Sequence, residues 1–302
     1  MSRRLWSLIA LFVVVATLLF VRLPTPGNYA GRMIENAGHL PLFLLVTLGL
    51  LIVLRNDFNM SGARLYATAG LIGGGLGFAS EVIQMPLARD ASWEDVFSDA
   101  MGALCAVALY VLFGRRQTLP RSTRIAAVVI ALACTAFYVT PLVRMAFAYV
   151  HRNAEFPVLA DFRHGIESVW VVGYGVKRYI GGGALQVEFR ADEWPGVSLH
   201  EPMPDWRAFE TLAIDVENPD TEPLVFTVRV HDIGHGRTYN DRYNRNFELG
   251  PGERRTLRIP LDEIRRGPKD RLMNLGQISD ITLFRDQPRG SKHLRVYLVR
   301  LE

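Results

Sequence analysis

Residues 77–102 read GFASEVIQMPLARDASWEDVFSDAMG and lie between two apolar runs, Leu65–Phe78 and Val96–Phe113. With its flanks, each run approaches the ~20 residues that a helix needs to cross a bilayer. Carboxylates in or beside a membrane span are costly to desolvate, so they are rare and usually functional. The polar side chains of this stretch are Glu81, Gln84, Arg89, Asp90, Glu94, Asp95 and Asp99.

These side chains fall on matching helix faces. Glu81 and Gln84 are three residues apart and Asp95 and Asp99 are four apart, so each pair shares one face of its helix. The short connection between them begins with Met85-Pro86, which predicts a helix end. Two helices joined by so short a loop are antiparallel neighbours. The sequence therefore predicts a polar cluster at one membrane surface.

Composition divides the chain into two unlike halves. The chain has 302 residues and a net charge of +4. Long apolar runs dominate residues 1–150, while residues 151–302 are rich in charged and turn residues. The basic excess flanks the apolar runs and forms no patch interleaved with aromatic residues, so nucleic-acid binding is not expected. The two cysteines, Cys105 and Cys134, lie in predicted spans, which leaves the second half without a disulfide or thiolate metal site.

Five membrane-spanning helices are predicted in residues 1–143. The first follows Ser2-Arg3-Arg4, and no small-x-small cleavage site comes directly after it, so we interpret it as a retained anchor. Gly73 and Gly77 in the third have the spacing of close helix contacts. The predicted spans are Leu5–Val21, Gly38–Leu54, Leu65–Met85, Val96–Phe113 and Ile125–Val143.

Arginine placement predicts the orientation of these spans. Most arginines fall at the amino terminus and in alternate loops, whereas the two short opposite loops hold Arg32 and Arg89, with Arg22 at the edge of the first span. The positive-inside rule therefore predicts a cytoplasmic amino terminus. Five spans then place the acidic cluster and the second half of the chain together outside the inner membrane. Residues 144–166 are interpreted as an amphipathic linker between the halves.

Alternating apolar and polar residues predict an all-β sandwich or jelly roll in residues 167–302. Turn clusters, such as Asn218-Pro219-Asp220 and Gly250-Pro251-Gly252, separate the strands at spacings near ten residues. Repeated short strands of this kind are typical of a two-sheet sandwich. The predicted strands are Ala184–Arg190, Gly196–His200, Thr211–Glu217, Leu224–His231, Arg255–Pro260, Ile278–Phe284 and Leu294–Leu301.

The first half resembles the VanZ-like family over about residues 30–114. The resemblance implies a cell-envelope membrane protein, and the founding member is associated with teicoplanin, a glycopeptide antibiotic. Two departures stand out: Ala37-Gly38 and Leu40 replace a common lysine and aromatic residue around the histidine, and Asp99 replaces a common asparagine. The residues that carry the resemblance are His39, Glu81, Gln84, Arg89, Ser92, Asp95 and Gly102.

The second half resembles the galactose-binding-type jelly rolls of carbohydrate-binding modules. The resemblance rests on Trp206 before a strand, on Val228–Asp232 (VRVHD) and on Tyr239–Asn244 (YNDRYN). It implies a sugar-binding function at the level of the fold. Related jelly rolls often carry a structural Ca²⁺, so such an ion is a further expectation, although no Asp/Asn/Gly loop signature demands it.

The membrane cluster is open to three interpretations. Its members either satisfy one another and lock the hairpin, or recognise a lipid headgroup or glycan, or catalyse a reaction on a lipid-linked substrate. Metal binding by His39, Asp95 and Asp99 is a variant of the third that the ligand spacing does not favour. The catalytic candidates are Glu81, Asp95 and His39, and the binding candidates are Gln84, Arg89 and Asp99.

In the sandwich, aromatic rings are candidates for stacking on sugars and polar side chains for binding hydroxyl groups. The alternative is structural, with Trp206 in the core and Asp232 paired with Arg242 to hold the loop between them. The sequence offers no G-x-S-x-G motif and no cysteine for nucleophilic catalysis here. The binding candidates are Trp194, Trp206, His231, Asp232, Tyr239, Arg242, Tyr243 and Asn244.

Together these patterns predict an inner-membrane protein that recognises or handles an envelope glycan or glycolipid at the outer leaflet. Its expected partners are membrane lipids and a glycan. A non-enzymatic function is favoured. The alternatives are an enzyme acting on a lipid-linked envelope precursor and a scaffold for a polysaccharide-export assembly.

Overall fold

The computed structural model describes residue 6 and residues 29–84, 93–114, 120–236, 238–286 and 290–302. The chain divides into two compact units, residues 1–143 and 144–302. Apart from Trp6, the predicted first span lies outside the described residues, and so do Arg89 and Ser92.

The first unit is helical. Three stretches are long and apolar enough to cross a membrane: Tyr29–Asn56, Trp93–Phe113 and Arg121–Glu155. They contain the predicted second, fourth and fifth spans, whereas the total of five is not confirmed. The predicted third span is a helix, but its glycines and Glu81 lower its hydropathy. The helices are α1 Tyr29–Ala37, α2 His39–Asn56, α3 Gly62–Gln84, α4 Trp93–Phe113 and α5 Arg121–Glu155.

Glycines set the close packing of α2, α3 and α4. A Cβ atom on Gly73 would lie 2.2 Å from the Thr47 hydroxyl of α2, and one on Gly77 would lie 2.5 Å from the Cβ of Asp99 on α4. A Cβ on Gly102 of α4 would lie 2.3 Å from the carbonyl oxygen of Leu40. These contacts agree with the close approach predicted from the Gly73 and Gly77 spacing.

The second unit contains two antiparallel sheets, one of six strands and one of five. The strands are β1 Val158–Ala160, β2 Val171–Tyr174, β3 Val176–Gly181, β4 Ala184–Phe189, β5 Gly196–His200, β6 Thr211–Glu217, β7 Leu224–Asp232, β8 Tyr243–Leu249, β9 Arg254–Pro260, β10 Ile278–Phe284 and β11 Lys292–Leu301. The six-stranded sheet has the order β3-β4-β11-β6-β9 with β1 also paired to β11, and the five-stranded sheet has the order β2-β5-β10-β7-β8. A short helix, α6, spans Leu261–Arg265.

All seven predicted strands are present, and β1, β2, β3 and β8 are additional. The segment predicted as a linker, residues 144–166, differs from the expectation. Helix α5 continues to Glu155 and β1 pairs with β11, so this segment already contributes to the β-sheet unit. The end of α5 packs there because Tyr149 donates to Glu201 Oε2 at 2.8 Å and Arg152 donates to the Glu201 carbonyl at 2.7 Å.

Each sheet buries one face, as the period of two in a strand requires. In β7, Leu224, Phe226, Val228 and Val230 are almost fully buried, while Arg229 and His231 between and after them are only partly so. The intervening residues of the five-stranded sheet therefore share its other face. That face carries the candidate site.

Candidate functional site

A groove of about 690 Å³ lies on the outward face of the five-stranded sheet. Its floor comes from alternate residues of β5, β7 and β10, and its rim comes from loop residues and the end of β2. The strand register explains why these residues meet. Asp280 of β10 is the partner of both His200 of β5 and His231 of β7, which places the three side chains in one row across the sheet.

Close polar contacts hold this row and its neighbours in place. His200 Nδ1 faces Asp280 Oδ2 at 2.7 Å, and the Thr282 hydroxyl donates a hydrogen bond to Asp280 Oδ1 at 2.5 Å. Thr282 in turn lies 2.8 Å from the hydroxyl of Ser198. His231 Nδ1 lies 2.9 Å from the Ser279 hydroxyl. The floor is a connected polar surface whose side chains are fixed before any ligand arrives.

Three aromatic side chains rise from the rim and remain open to solvent. Tyr174 is 52% exposed, Trp194 is 46% exposed and Tyr239 is 65% exposed. A fourth ring, Phe284, lies in the floor, and its contact requires glycine at position 196, where a Cβ would lie 2.6 Å from the Phe284 Cβ. Exposed aromatic faces beside fixed polar groups are typical of a small-ligand site.

The groove is also basic. The Arg229 guanidinium lies 4.2 Å from the centre of the Phe284 ring, and its Nε donates to Asn244 at 3.3 Å. The Arg242 guanidinium lies 5.4 Å from the centre of the Tyr239 ring. Burial, followed by the like charge of Arg242, lowers the pKa of Arg229 to about 10, which still leaves Arg229 charged at neutral pH. Burial also lowers the pKa of Arg242. Burial lowers the pKa of His231, which favours its neutral form.

The structure therefore brings together Trp194, His231, Tyr239 and Arg242 from the predicted set, all of which line the groove. Asn244 supports it through Arg229. The sequence analysis missed Tyr174, His200, Arg229 and Asp280. The alternation in VRVHD predicts that Arg229 and His231 share a face, but nothing local indicates which strand lies beside them.

Three of the predicted binding residues do not reach the groove. Trp206 is fully buried and donates its indole N–H to the Met203 carbonyl at 2.6 Å, which agrees with the core alternative. Tyr243 is buried opposite Val230, on the core side of β8. Asp232 is the last residue of β7, and its side chain is buried.

The structural alternative that pairs Asp232 with Arg242 is wrong. Asp232 accepts two hydrogen bonds from Arg271, both at 2.7 Å, and one from the backbone N–H of Asn274 at 2.7 Å. Arg271 also donates to Asp241 at 2.5 Å. The carboxylate that was expected to hold Arg242 is thus already satisfied, which leaves Arg242 to the groove.

In the helical unit, α2, α3 and α4 bring a second polar cluster together. His39, Glu81 and Asp99 each offer an atom suited to metal coordination, and these atoms lie within 4.8 Å of one another. Glu81 and Asp99 are buried, and His39 Nδ1 lies 3.0 Å from Asp99 Oδ1. This is the only such group of His, Cys, Asp and Glu among the described residues. These oxygen and nitrogen donors fit a divalent cation. The contact between His39 and Asp99 also fits the structural interpretation, in which the polar side chains hold α2 and α4 together.

Asp95 connects this cluster to an apolar cavity. Its Oδ1 lies 3.9 Å from His39 Nε2, and Asp95 also lines a cavity of about 500 Å³ with Leu40, Trp93 and Phe137 among its walls. Gln84 ends helix α3, and Arg89 falls outside the described residues. Four of the six predicted membrane-site residues therefore lie close together.

Comparison with known proteins finds matches only among solved structures, and these matches cover the second half of the chain. No family model and no curated protein matches the chain, so the VanZ-like resemblance depends on the residues quoted above. The family 11 carbohydrate-binding module from Clostridium thermocellum, in complex with a β-1,3-1,4-mixed-linked tetrasaccharide, is 16% identical, with a TM-score of 0.37 over 48% of this chain and 93% of that one.

Two further solved structures match with similarly low sequence identity and TM-score. An agarase is 16% identical, with a TM-score of 0.35 over 44% of this chain, which covers only 24% of the agarase. A family 29 carbohydrate-binding module is 16% identical, with a TM-score of 0.31 over 43% of this chain and 76% of that one.

Proposed function

We propose that this protein is a membrane-anchored saccharide-binding protein whose second unit binds a cell-envelope glycan outside the inner membrane. One observation carries the proposal: the groove combines three solvent-exposed aromatic rings with a fixed polar floor. Sugar rings present apolar faces for stacking and hydroxyl groups around the edge for hydrogen bonding. The groove offers both kinds of partner side by side, and its volume suits an oligosaccharide segment.

The proposed location depends on the arginine distribution and on the apolar helices. Three helices long and apolar enough to cross a membrane support membrane attachment. The positive-inside rule supports a cytoplasmic amino terminus and an extracytoplasmic second unit. A reporter-fusion topology map tests this arrangement, and a carboxyl terminus shielded from an impermeant label in intact cells would contradict it.

We expect Trp194→Ala and Tyr239→Ala each to weaken saccharide binding about tenfold, or about 1.4 kcal/mol. Each substitution removes a ring from the rim without opening the core, since both rings are exposed. The measurement begins with the full chain in nanodiscs on an array of envelope oligosaccharides and peptidoglycan fragments. Isothermal titration of the best-binding saccharide then compares the variants.

Tyr179→Ala is the matched control for this experiment. Tyr179 is 66% exposed, but it stands on β3 in the other sheet. Its removal is expected to leave the affinity unchanged. The proposal fails if no saccharide on the array binds, or if Tyr179→Ala weakens binding as much as the groove variants do.

A second candidate function belongs to the helical unit, where the polar cluster adjoins an apolar cavity through Asp95. This arrangement suits an amphipathic ligand, namely an envelope lipid or lipid-linked precursor whose headgroup meets the cluster. We expect Asp95→Asn to abolish binding of an undecaprenyl-linked precursor in nanodiscs without lowering membrane abundance. Ser98→Ala, in the same cavity, is the control. A loss of abundance in Asp95→Asn would favour the structural lock instead.

A further inference from the structure

The two arginines of the groove differ from the arginines that form ion pairs within this unit. Arg271 pairs with Asp232, Arg295 with Glu217 at 2.9 Å and Arg300 with Asp215 at 3.2 Å. Within the described part of the chain, neither Arg229 nor Arg242 forms an ion pair. Partly buried charges without an ion-pair partner are unfavourable. Two such guanidinium groups in one groove therefore indicate a binding role.

The hydrogen-bonding capacity of these arginines is also largely unused. Arg242 Nε is buried and has no hydrogen-bond partner among the described residues. Arg229 uses its Nε on Asn244, and its terminal amino groups have no partner in that part of the chain. A guanidinium stacked on an aromatic ring is held in orientation by the ring while its edge stays open to an acceptor. Phe284 and Tyr239 play this part here.

The one carboxylate that lines the groove, Asp280, offsets only part of this charge, since its attraction acts to raise the pKa of Arg229 while burial lowers it. Asp280 is 3% exposed, lies 2.7 Å from His200 Nδ1 and accepts a hydrogen bond from Thr282. Asp241 near the rim is held by Arg271 and by the backbone N–H of Gly236. One carboxylate thus faces two guanidinium groups, so the open face of the groove carries a net positive charge.

We propose that the saccharide bound in this groove is acidic and carries carboxylate or sulfate groups that are held by Arg229 and Arg242. The inference rests on the proposed saccharide-binding function and adds the chemical class of the ligand. A guanidinium matches a carboxylate or sulfate in a bidentate geometry, and such charge-assisted hydrogen bonds are about twice as strong as neutral ones. The aromatic rim holds the sugar rings, and the two arginines select among them by charge.

The test compares ligand pairs that differ only in charge. One pair is a galacturonic acid oligomer and its methyl ester, and the other is a sulfated galactan oligosaccharide and its desulfated form. Titrated into the full chain in nanodiscs, at least one acidic form is expected to bind ten or more times as tightly as its neutral partner. The pair that shows the preference identifies carboxylate or sulfate. The preference is expected to shrink as salt is raised.

Arg242→Gln is expected to remove most of this preference, because it weakens binding of the acidic form far more than binding of the neutral form. Arg229→Gln should act in the same direction, and Arg242→Lys, which keeps the charge, should retain part of the preference. Arg254→Gln is the matched control, because Arg254 also stacks on a tyrosine, Tyr297, with its guanidinium carbon 3.7 Å from the ring centre, but in the other sheet. It is expected to change neither affinity.

The possible failures are distinguishable. Equal binding of acidic and neutral forms, lost in Trp194→Ala, would overturn the acidic-ligand inference and leave the proposed function standing. If Arg242→Gln weakened the binding of the acidic and the neutral form equally, the acidic-ligand inference would also be overturned, while the proposed function would stand. Absence of binding to every saccharide, acidic or neutral, would overturn both proposals.

Discussion

Asp232→Ala is expected to destabilise the second unit by about 3 kcal/mol. The carboxylate is 1% exposed and accepts hydrogen bonds from Arg271 and Asn274, so its removal takes away two of the hydrogen bonds that the Arg271 guanidinium donates. Breaking a buried ion pair on one side costs about 3–5 kcal/mol. The lower end applies because Arg271 is 32% exposed and keeps Asp241. For a unit of this size the midpoint of thermal unfolding should fall by roughly 6–12 °C.

Asp205→Ala is the control for this substitution. Asp205 also pairs with an arginine, Arg207, at 2.6 Å, but the two side chains are 50% and 71% exposed. Exposed ion pairs contribute little because water and salt screen them. Tryptophan fluorescence of the full chain in detergent follows unfolding, since Trp170, Trp194 and Trp206 lie in this unit. Equal losses in the two variants would refute the structural role of Asp232.

The same pair predicts a response to acid. Burial alone raises the pKa of Asp232, but the hydrogen bonds from Arg271 and Asn274 outweigh it and lower this pKa below its ordinary value. A carboxyl with a lowered folded pKa stabilises the fold above its unfolded pKa, about 3.9. That stabilisation is lost as the pH falls through the folded pKa. Stability should therefore decline below about pH 4 in the native protein and less steeply in Asp232→Asn.

Strand alternation made much of the sandwich predictable. In β6 and β7 apolar residues recur at every second position, and both strands were predicted within one residue. Strand β8 was missed because YNRNFEL follows a turn-rich segment and carries few apolar residues. It is a strand because it pairs with β7 along its length, which is a tertiary effect. Intrinsic β propensity is weak where such pairing decides.

The sequence predicted which residues belong to the candidate sites better than it predicted which residues they contact. Asp232 and Arg242 flank one loop, residues 233–241, so their pairing was the structural alternative, yet the partner of Asp232 is Arg271, 39 residues away. The groove forms only because β10 lies between β5 and β7, an order that no local pattern indicates. The contact of His39 with Asp99 spans 60 residues, and the sequence analysis grouped these two residues only in the metal-binding variant that the ligand spacing does not favour.

The helical unit offers the second large effect, which comes from adding a single methyl group. Gly102→Ala is expected to destabilise this unit by about 3 kcal/mol or more, since the new Cβ would lie 2.3 Å from the Leu40 carbonyl and 3.1 Å from the Leu44 backbone nitrogen. Overpacking usually costs about 1–3 kcal/mol, but backbone atoms cannot rotate aside as a side chain does. Helix α2 must instead move away from α4, which also separates His39 from Asp99.

Two further glycine substitutions turn this prediction into an ordered series. Gly77→Ala should have a smaller but clear effect, because its Cβ would meet the Asp99 side chain at 2.5 Å, and that side chain is buried. Gly74→Ala, on the same helix as Gly77, meets nothing within 4 Å. It is expected to be neutral or stabilising, since alanine favours a helix over glycine by about 1 kcal/mol. Thermal unfolding of the full chain in one detergent should rank Gly102→Ala lowest, then Gly77→Ala, then the native protein and Gly74→Ala. A Gly102→Ala protein as stable as Gly74→Ala would mean that α2 and α4 do not meet at this glycine, and the cluster of His39, Glu81 and Asp99 would lose its geometric basis.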